Sequence, residues 1–133
     1  MRKLIALGLL VGLAAVLVPI ALGAGSTVSV RLKEFTLTPR PATVKPGKVT
    51  FVVKNTGKLE HELVVMKTNV APGKLPLNAK GRVPEKGVMG EAGDIKPGQT
   101  KKVTLTLKPG KYVLLCNLAG HYKAGQYAGF TVK

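Results

Sequence analysis

Most of the sequence after residue 25 alternates between apolar and polar residues in short runs that end at Gly or Pro. In residues 27–38, for example, Val28, Val30 and Leu32 fall on one face of an extended chain, with polar residues between them. A period of two residues is typical of a β-strand with one buried face, whereas a helix repeats every 3.6 residues. The pattern therefore predicts an all-β fold.

Six segments have this strand character. They are residues 27–38, 48–55, 62–67, 98–108, 111–116 and 127–132. Short strands separated by Gly and Pro turns favour two packed sheets, so we expect a Greek-key β-sandwich. Residues 68–97 contain four prolines and no sustained period, so we expect a long irregular loop there, with at most a helical turn at residues 75–80.

The N-terminal segment differs from the rest of the chain. Met1-Arg2-Lys3 precedes an uncharged apolar run over residues 4–24, and this order is the pattern of a secretory signal peptide. Small residues at its end offer cleavage sites, although the run is also long enough to anchor the chain in a bilayer. We therefore expect a signal peptide or membrane anchor at residues 1–25 and one exported domain, periplasmic or extracellular, at residues 26–133.

The composition narrows the class of protein. The 133 residues include 21 Lys and Arg against 6 Asp and Glu, a net charge of +15. The basic residues are dispersed rather than grouped in an arginine-rich stripe, which argues against nucleic acid as a partner and favours an acidic protein or anionic lipid headgroups. One domain is too small for a large multi-substrate enzyme, and one cysteine cannot form a disulfide within the chain.

The only cysteine lies close to one of the two histidines. Cys116, His121 and Gln126 follow one another at intervals of five residues, and the two intervening segments each end in a glycine that allows a tight bend. The other histidine, His61, opens the predicted strand at residues 62–67. A thiolate and two imidazoles in a trigonal arrangement, with a weak axial Met or Gln, are typical ligands of copper.

Other interpretations of these residues stay open at the level of sequence. Cys116 alone is compatible with an inert thiol buried at a strand end. Cys116 with His121 resembles a thiol nucleophile and its base, although no third group to orient them is evident. Zinc accepts the same donors as copper. Two histidines and one cysteine are too few for a multinuclear copper centre, so we expect one mononuclear site and no enzyme.

Two segments resemble a known family. Residues 115–132 look like the C-terminal ligand loop of cupredoxins, the small blue copper proteins, and residues 55–65 resemble the segment that carries their first histidine. The similarity extends over most of the chain after residue 26. It implies a cupredoxin-like fold that holds one copper ion in a type 1 site.

The same resemblance implies roles for individual residues. His61, Cys116 and His121 correspond to the equatorial copper ligands, and Gln126 corresponds to the axial ligand, where most bacterial relatives have Met. Gln at that position is similar to the stellacyanin branch of plant phytocyanins, whose disulfide a single cysteine does not allow. Glu62 departs from the family, because many members have Asn directly after the first histidine to tie the two ligand segments together.

The resemblance also implies a function. It indicates a carrier of single electrons, in which copper alternates between Cu(I) and Cu(II). We expect the electron to leave through His121, because small and apolar residues surround it in the chain, and to reach redox partner proteins with acidic docking surfaces. The alternatives are a copper carrier or sequestering protein without a redox partner, and a cupredoxin-fold accessory module with a vestigial site. We expect a monomer, with membrane association only if residues 4–24 remain attached.

Overall fold

The structure is a computed structural model that describes residues 23–133, so the predicted signal peptide or anchor lies outside the described residues except for its last three positions. Within the described range all regular structure is β, and no segment there forms a helix that could cross a membrane. The strands of this range are β1 (Ser26–Lys33), β2 (Thr36–Arg40), β3 (Thr43–Val44), β4 (Gly47–Asn55), β5 (His61–Lys67), β6 (Val88–Ile95), β7 (Thr100–Leu107), β8 (Gly110–Leu115) and β9 (Tyr127–Val132).

The strands form two mixed sheets. One sheet has the order β2-β1-β4-β7 and the other has the order β3-β9-β8-β5-β6. The pairs β1–β4 and β3–β9 are parallel, and the remaining neighbours are antiparallel. The prediction of an all-β sandwich is confirmed.

The main core lies between the two sheets. Val28, Val30 and Leu32, which the alternation placed on one face, are at most 1% exposed, and they pack into a cluster to which both sheets contribute. The rings of Phe51 and Phe130 meet in this cluster with their centroids 5.4 Å apart. Burial of these apolar surfaces is the main force that holds the sheets together.

Strand β5 is buried on both faces. Leu63 and Val65 face the core between the sheets, whereas Val64 and Met66 belong to a second cluster on the opposite side of the same sheet. Residues 68–87 supply part of this second cluster. The long irregular segment therefore packs against a sheet and acts as a cover for it, which explains why β5 is a continuous apolar run.

The prediction of one strand at residues 27–38 is wrong, because this segment is a hairpin. Leu32 pairs with Leu37 across a two-residue turn at Glu34 and Phe35. The sequence carries a signal of this turn: the apolar positions are even-numbered up to Leu32 and odd-numbered from Phe35 onward. Two-residue loops are the commonest connections in hairpins, and this one places Glu34 at the end of the sandwich.

The prediction of a loop throughout residues 68–97 is also wrong, because its last part is strand β6, paired with β5. The sequence of β6 contains two glycines and two acidic residues, which have low strand propensity. Gly90 lies under the Leu105 side chain, and a Cβ there would lie 2.5 Å from it and force it to move. Residues 75–80 contain no helical turn, and the short strand β3 was not predicted.

Candidate metal centre

The two histidines and the cysteine meet at one end of the sandwich. His61 is the first residue of β5, Cys116 directly follows β8, and His121 lies in the loop between β8 and β9. Strands β5 and β8 are antiparallel neighbours, with Val64 opposite Leu115, so the start of one strand lies beside the end of the other. One donor atom from each of the three residues lies within 4.8 Å of the others.

The three donor atoms form a nearly equilateral triangle. His61 Nδ1 and His121 Nδ1 are 3.3 Å apart, and the Cys116 Sγ atom is 3.9 Å from the first and 3.4 Å from the second. A point equidistant from the three atoms lies about 2 Å from each, similar to the bonds of about 2.0–2.3 Å that zinc makes with imidazole nitrogen and thiolate sulfur. A single metal ion therefore fits between these atoms without displacement of the side chains.

Gln126 lies next to this triangle, directly before β9. Its side chain is fully buried, and its Nε2 donates to the backbone carbonyls of Lys33 at 3.2 Å and Thr36 at 3.4 Å. Its Oε1 is buried without a hydrogen-bond donor, the one such side-chain atom in the described residues. Buried amide oxygens are rarely left unpaired. The orientation of the amide therefore leaves an acceptor available for an ion.

A compact backbone network shapes the loop between Cys116 and Gln126. The Cys116 N–H donates to the Gln126 carbonyl at 3.0 Å, and the Gln126 N–H donates to the His121 carbonyl at 3.1 Å. Gly120 and Gly125 have φ values of 83° and 108°, which side chains with a Cβ rarely adopt. The predicted role of these glycines is confirmed, and the loop brings the three side chains back to one place.

The thiol of Cys116 is buried and receives a hydrogen bond from the backbone. The N–H of Glu62 lies 3.4 Å from Sγ, so the backbone of the residue after His61 joins the two ligand segments. Burial is the main cause that raises the pKa of Cys116, and the Glu62 N–H acts against it. A buried thiol with a raised pKa is a poor nucleophile, which argues against the alternative of a thiol hydrolase.

The Glu62 side chain is half-buried rather than fully solvated. Desolvation, followed by the negative charge of Glu91, raises the pKa of its carboxyl group, while a backbone hydrogen bond from Asn117 lowers it. A β-bulge in β6 lies opposite Glu62, because the pairing changes register between His61 and Leu63. Bulges are common at the rims of sheets near functional sites.

The second ring nitrogen of His61 contacts a carboxylate. Glu34, in the β1–β2 turn, places Oε1 3.0 Å from His61 Nε2. The same oxygen accepts hydrogen bonds from the backbone N–H groups of Leu59 at 2.7 Å and Lys58 at 2.8 Å. These contacts, the Leu59 N–H above all, lower the pKa of Glu34 to about 2, so the group is a carboxylate at neutral pH.

His121 is the most exposed of the three donors. It is partly accessible, whereas His61 and Cys116 are fully buried. Desolvation and then the neighbouring His61 lower the pKa of His121, while the Gln126 amide and the Glu34 carboxylate act in the opposite direction. The imidazole is therefore neutral at neutral pH, which is the form that binds metals.

Two buried asparagines hold the loops of the centre, and no pattern in the sequence distinguished them or Glu34. The Asn55 amide donates to the carbonyls of Leu59 at 2.7 Å and Ile95 at 2.8 Å. Its Oδ1 accepts from the Gly57 N–H at 2.8 Å. The only hint in the sequence was the Asn-Thr-Gly turn that starts at Asn55.

Asn117 directly follows Cys116, and its side chain forms hydrogen bonds with a segment more than thirty residues earlier in the chain.

The remaining candidate ligands lie away from the triangle. Met89 is 43% exposed on β6, near the end of that strand farthest from His61, so its sulfur does not serve as an axial ligand here. Glu91 and Asp94 are exposed. Met66 is buried in the second apolar cluster. The described residues thus offer one cluster of soft and imidazole donors, and this donor set fits one type 1 copper ion.

The sequence matches one family model. The model describes the cupredoxin-like domain, and it matches residues 4–127. A search of curated protein sequences found no match.

Several solved structures are similar to this one. A reduced auracyanin from Roseiflexus castenholzii is 25% identical with a TM-score of 0.64, and the match covers 84% of this chain and 99% of that one. Auracyanin A from Chloroflexus aurantiacus, described as a "blue" copper protein, is 21% identical over 83% of this chain and 100% of its own, with a TM-score of 0.63. Rusticyanin from Thiobacillus ferrooxidans is 19% identical over 83% of this chain and 79% of its own, with a TM-score of 0.60.

Proposed function

The chain belongs to the family of cupredoxin-like domains, and on this basis we propose that it is an exported type 1 copper protein that carries single electrons. One observation carries the proposal: His61 Nδ1, Cys116 Sγ and His121 Nδ1 surround a site for one ion, beside the unpaired Oε1 of Gln126. Bound copper supplies the one-electron chemistry, because it alternates between Cu(I) and Cu(II). His61, Cys116 and His121 are the equatorial ligands, and Gln126 is the axial ligand.

The burial of the ligands favours electron transfer over the transfer of copper itself. His61, Cys116 and Gln126 have no exposed surface, and hydrogen bonds hold the segments on both sides of them. A protein that hands copper to another protein needs ligands that an acceptor can reach. A carrier of electrons instead benefits from ligands that stay in place in both oxidation states. The complete donor set equally favours a working site over a vestigial one.

The surface near His121 provides the route for the electron. His121 is the ligand nearest to solvent, and the ring of Phe35 packs edge-on against it with a centroid distance of 5.0 Å. Phe35 is 37% exposed, and Leu59, bound to Glu34 at the same end of the sandwich, is 47% exposed. Exposed apolar side chains that surround a redox ligand suit brief docking over a small interface.

We propose that the redox partners present acidic surfaces to this end of the protein. Lys58 and Lys123 are exposed and lie in the loops that carry Leu59 and His121. Positive charge beside a docking surface accelerates encounters with negative partners and loses this effect as salt screens it. The protein acts as a monomer in these encounters.

Anionic and cationic small oxidants test this proposal. Ferricyanide should oxidise the reduced protein more slowly as salt is added and more slowly in Lys123→Glu than in the wild type. Lys102→Glu is the matched control, because it makes the same change in net charge at an exposed position on β7, the strand at the opposite edge of its sheet from β2. A cationic cobalt(III) complex should show the opposite trend. Equal effects of the two substitutions would contradict docking at the copper end.

Export is proposed from the sequence of residues 1–25 alone. Their basic start and apolar run fit a signal peptide or an anchor, and either one delivers the remaining domain across a membrane. Mass spectrometry of the protein from its native host tests whether the segment is removed. A periplasmic or extracellular location would place the copper site outside the cytoplasm, and a chain found in the cytosol with residues 1–25 attached would contradict export.

The central test of the proposed function is a titration with Cu(II), followed by visible absorption and electron paramagnetic resonance. We expect an intense thiolate-to-copper absorption band that is lost in Cys116→Ser. In Gln126→Met the band should remain and the reduction potential should rise, because the amide oxygen is a harder donor than thioether sulfur and stabilises Cu(II) more. Gln99→Met is the matched control, since Gln99 lies in an exposed turn and should not affect the potential.

Two results would contradict the proposal. A protein that stays colourless, with only weak signals of ordinary Cu(II), has no type 1 site. A coloured protein whose potential is the same in Gln126→Met and in the wild type binds copper without the axial amide.

A further inference from the structure

Glu34 is a partly exposed carboxylate that the proposed function does not use. It lies in the turn between β1 and β2, 27 residues before His61 in the sequence, and its side chain is 23% exposed. A single oxygen, Oε1, faces three nitrogen atoms: His61 Nε2 at 3.0 Å and the backbone nitrogens of Leu59 and Lys58 at 2.7 and 2.8 Å. The carboxylate thus contacts a copper ligand and also the loop that leads to it.

We propose that Glu34 is a positioning residue that holds the proton of His61 on Nε2 and lowers the reduction potential of the copper. The proposal rests on the proposed function, since it concerns the same site. It assigns a role to a residue that is distant from the ligands in the sequence.

The tautomer follows from the chemistry of the contact. An ionised carboxylate only accepts hydrogen bonds, so the short contact with His61 Nε2 requires a hydrogen on that nitrogen. The other nitrogen, Nδ1, then carries a free lone pair. Nδ1 is the atom that lies 3.3 Å from His121 Nδ1 and 3.9 Å from Cys116 Sγ. Glu34 therefore prepares His61 to bind a metal through the nitrogen that faces the other donors, as outer carboxylates do at many metal sites.

The effect on the potential follows from the balance of charge. A thiolate and two neutral imidazoles leave Cu(II) with one net positive charge and make Cu(I) neutral. The negative charge of Glu34 next to His61 compensates the positive charge of the oxidised site and adds an uncompensated negative charge to the reduced one. Charge in a buried site is costly unless it is compensated. Glu34 consequently favours Cu(II), in the same direction as the amide oxygen of Gln126.

The surrounding chain is shaped to receive this carboxylate. A Cβ added at Gly57 would overlap the Glu34 carboxylate, so only glycine leaves room for it. The Gly57 N–H donates to Asn55 Oδ1 at 2.8 Å, which turns the loop so that the next two N–H groups point to Glu34. Two separate loops are thereby arranged around one oxygen atom.

A purely structural role is the competing explanation, in which Glu34 only ties the β1–β2 turn to the loop at residues 57–59. Glu34→Gln separates the two explanations. The amide oxygen of the substituted side chain can still accept from the N–H groups of Lys58 and Leu59, but the negative charge is gone. A structural role predicts an unchanged potential, whereas the proposal predicts a higher one.

The first arm of the test compares the wild type, Glu34→Gln and Glu60→Gln by voltammetry of the copper-loaded protein. Glu60→Gln is the matched control: it removes the same charge from an exposed residue next to His61 that, unlike Glu34, forms no salt bridge with the ring. We expect the thiolate-to-copper band to persist in all three proteins. The potential should rise in Glu34→Gln by clearly more than in Glu60→Gln, and the affinity for Cu(II) should fall, by roughly 10- to 100-fold if Glu34 acts like other outer-shell partners. Equal potentials in Glu34→Gln and the wild type would overturn the proposal.

The second arm needs neither copper nor a variant. Nitrogen NMR of the imidazole groups in the copper-free wild type should find the proton of His61 on Nε2, and a proton on Nδ1 would overturn the proposal. This arm also separates the proposal from the proposed function. If the wild type forms no thiolate-to-copper band, the proposed function fails, while the tautomer of His61 still reports whether Glu34 acts on it.

Discussion

Asn117 and Val83 form a pair of hydrogen bonds through the Asn117 side chain. Its Oδ1 accepts from the Val83 N–H at 2.7 Å, and its Nδ2 donates to the Val83 carbonyl at 2.9 Å. Asn117 is the residue after Cys116, and Val83 lies in the irregular segment that covers the second face of the five-stranded sheet. The amide thus replaces a strand partner and ties this cover to the ligand loop.

Loss of the Asn117 side-chain amide should destabilise both the ligand loop and the segment that covers the sheet. Asn117→Ala leaves both backbone groups of Val83 unpaired in a buried place, and we expect a loss of about 2–3 kcal/mol in the free energy of unfolding. Urea denaturation measures this loss. Asn69→Ala, at an exposed position, is the control and should change the stability by less than about 0.5 kcal/mol. Similar stabilities of the two variants would show that the pair does not hold the cover.

Substitution of Asn55 should destabilise the fold at least as much as substitution of Asn117, because the fully buried Asn55 amide satisfies three backbone groups. We expect Asn55→Ala to cost about 3 kcal/mol in the free energy of unfolding and to weaken copper binding, since the loop that leads to His61 loses its supports. Chemical denaturation and a copper titration measure the two effects. A variant with reduced stability but unchanged copper affinity would show that His61 is held in place without Asn55.

The hydroxyl group of Tyr112 makes the stability of the fold depend on pH in the alkaline range. Its hydroxyl donates to the Lys108 carbonyl at 2.7 Å, an arrangement like the tyrosine corner of Greek-key sandwiches. We expect Tyr112→Phe to cost about 1 kcal/mol at neutral pH through loss of this bond. Desolvation raises the pKa of Tyr112 in the folded state, so the folded protein binds this proton more tightly than the unfolded chain.

The sign of the pH effect follows from this difference. The contribution of the Tyr112 proton is complete below the unfolded pKa of about 10, and it declines as the pH rises toward the higher pKa of the folded state. The stability advantage of the wild type over Tyr112→Phe should therefore shrink above about pH 10. Unfolding curves at neutral pH and at several alkaline pH values test this, and a constant difference would contradict it.

Removal of copper should lower the melting temperature. The metal binds the folded arrangement of His61, Cys116 and His121, so at a free concentration about 100 times the dissociation constant it adds about 2.7 kcal/mol to stability. Calorimetry of the copper-loaded and copper-free proteins measures the difference. In Cys116→Ser the two melting temperatures should approach each other, and an equally large copper effect in that variant would place the stabilising ion elsewhere.

The strands with clean alternation were predictable because their pattern is local. β4, β5, β7, β8 and β9 were found within a few residues of their bounds, since one or both faces of each are apolar. β6 was not predicted because its glycines interrupt the alternation of apolar and polar residues. Gly90, for example, leaves room for the Leu105 side chain instead of contributing an apolar side chain of its own. The hairpin turn was missed although the apolar residues change parity between Leu32 and Phe35.

The sequence by itself determined the all-β class and the four candidate ligands, because strand periodicity and the Cys-His-Gln spacing are properties of neighbouring residues and His61 is the only other histidine. Only the tertiary structure decided which atoms face one another across the fold. It brings Glu34 to His61 and leaves Gln126 Oε1 unpaired. Both results depend on the packing of loops that are far apart in the chain. Contacts of this kind follow from how two sheets pack, and no local pattern of residues encodes them.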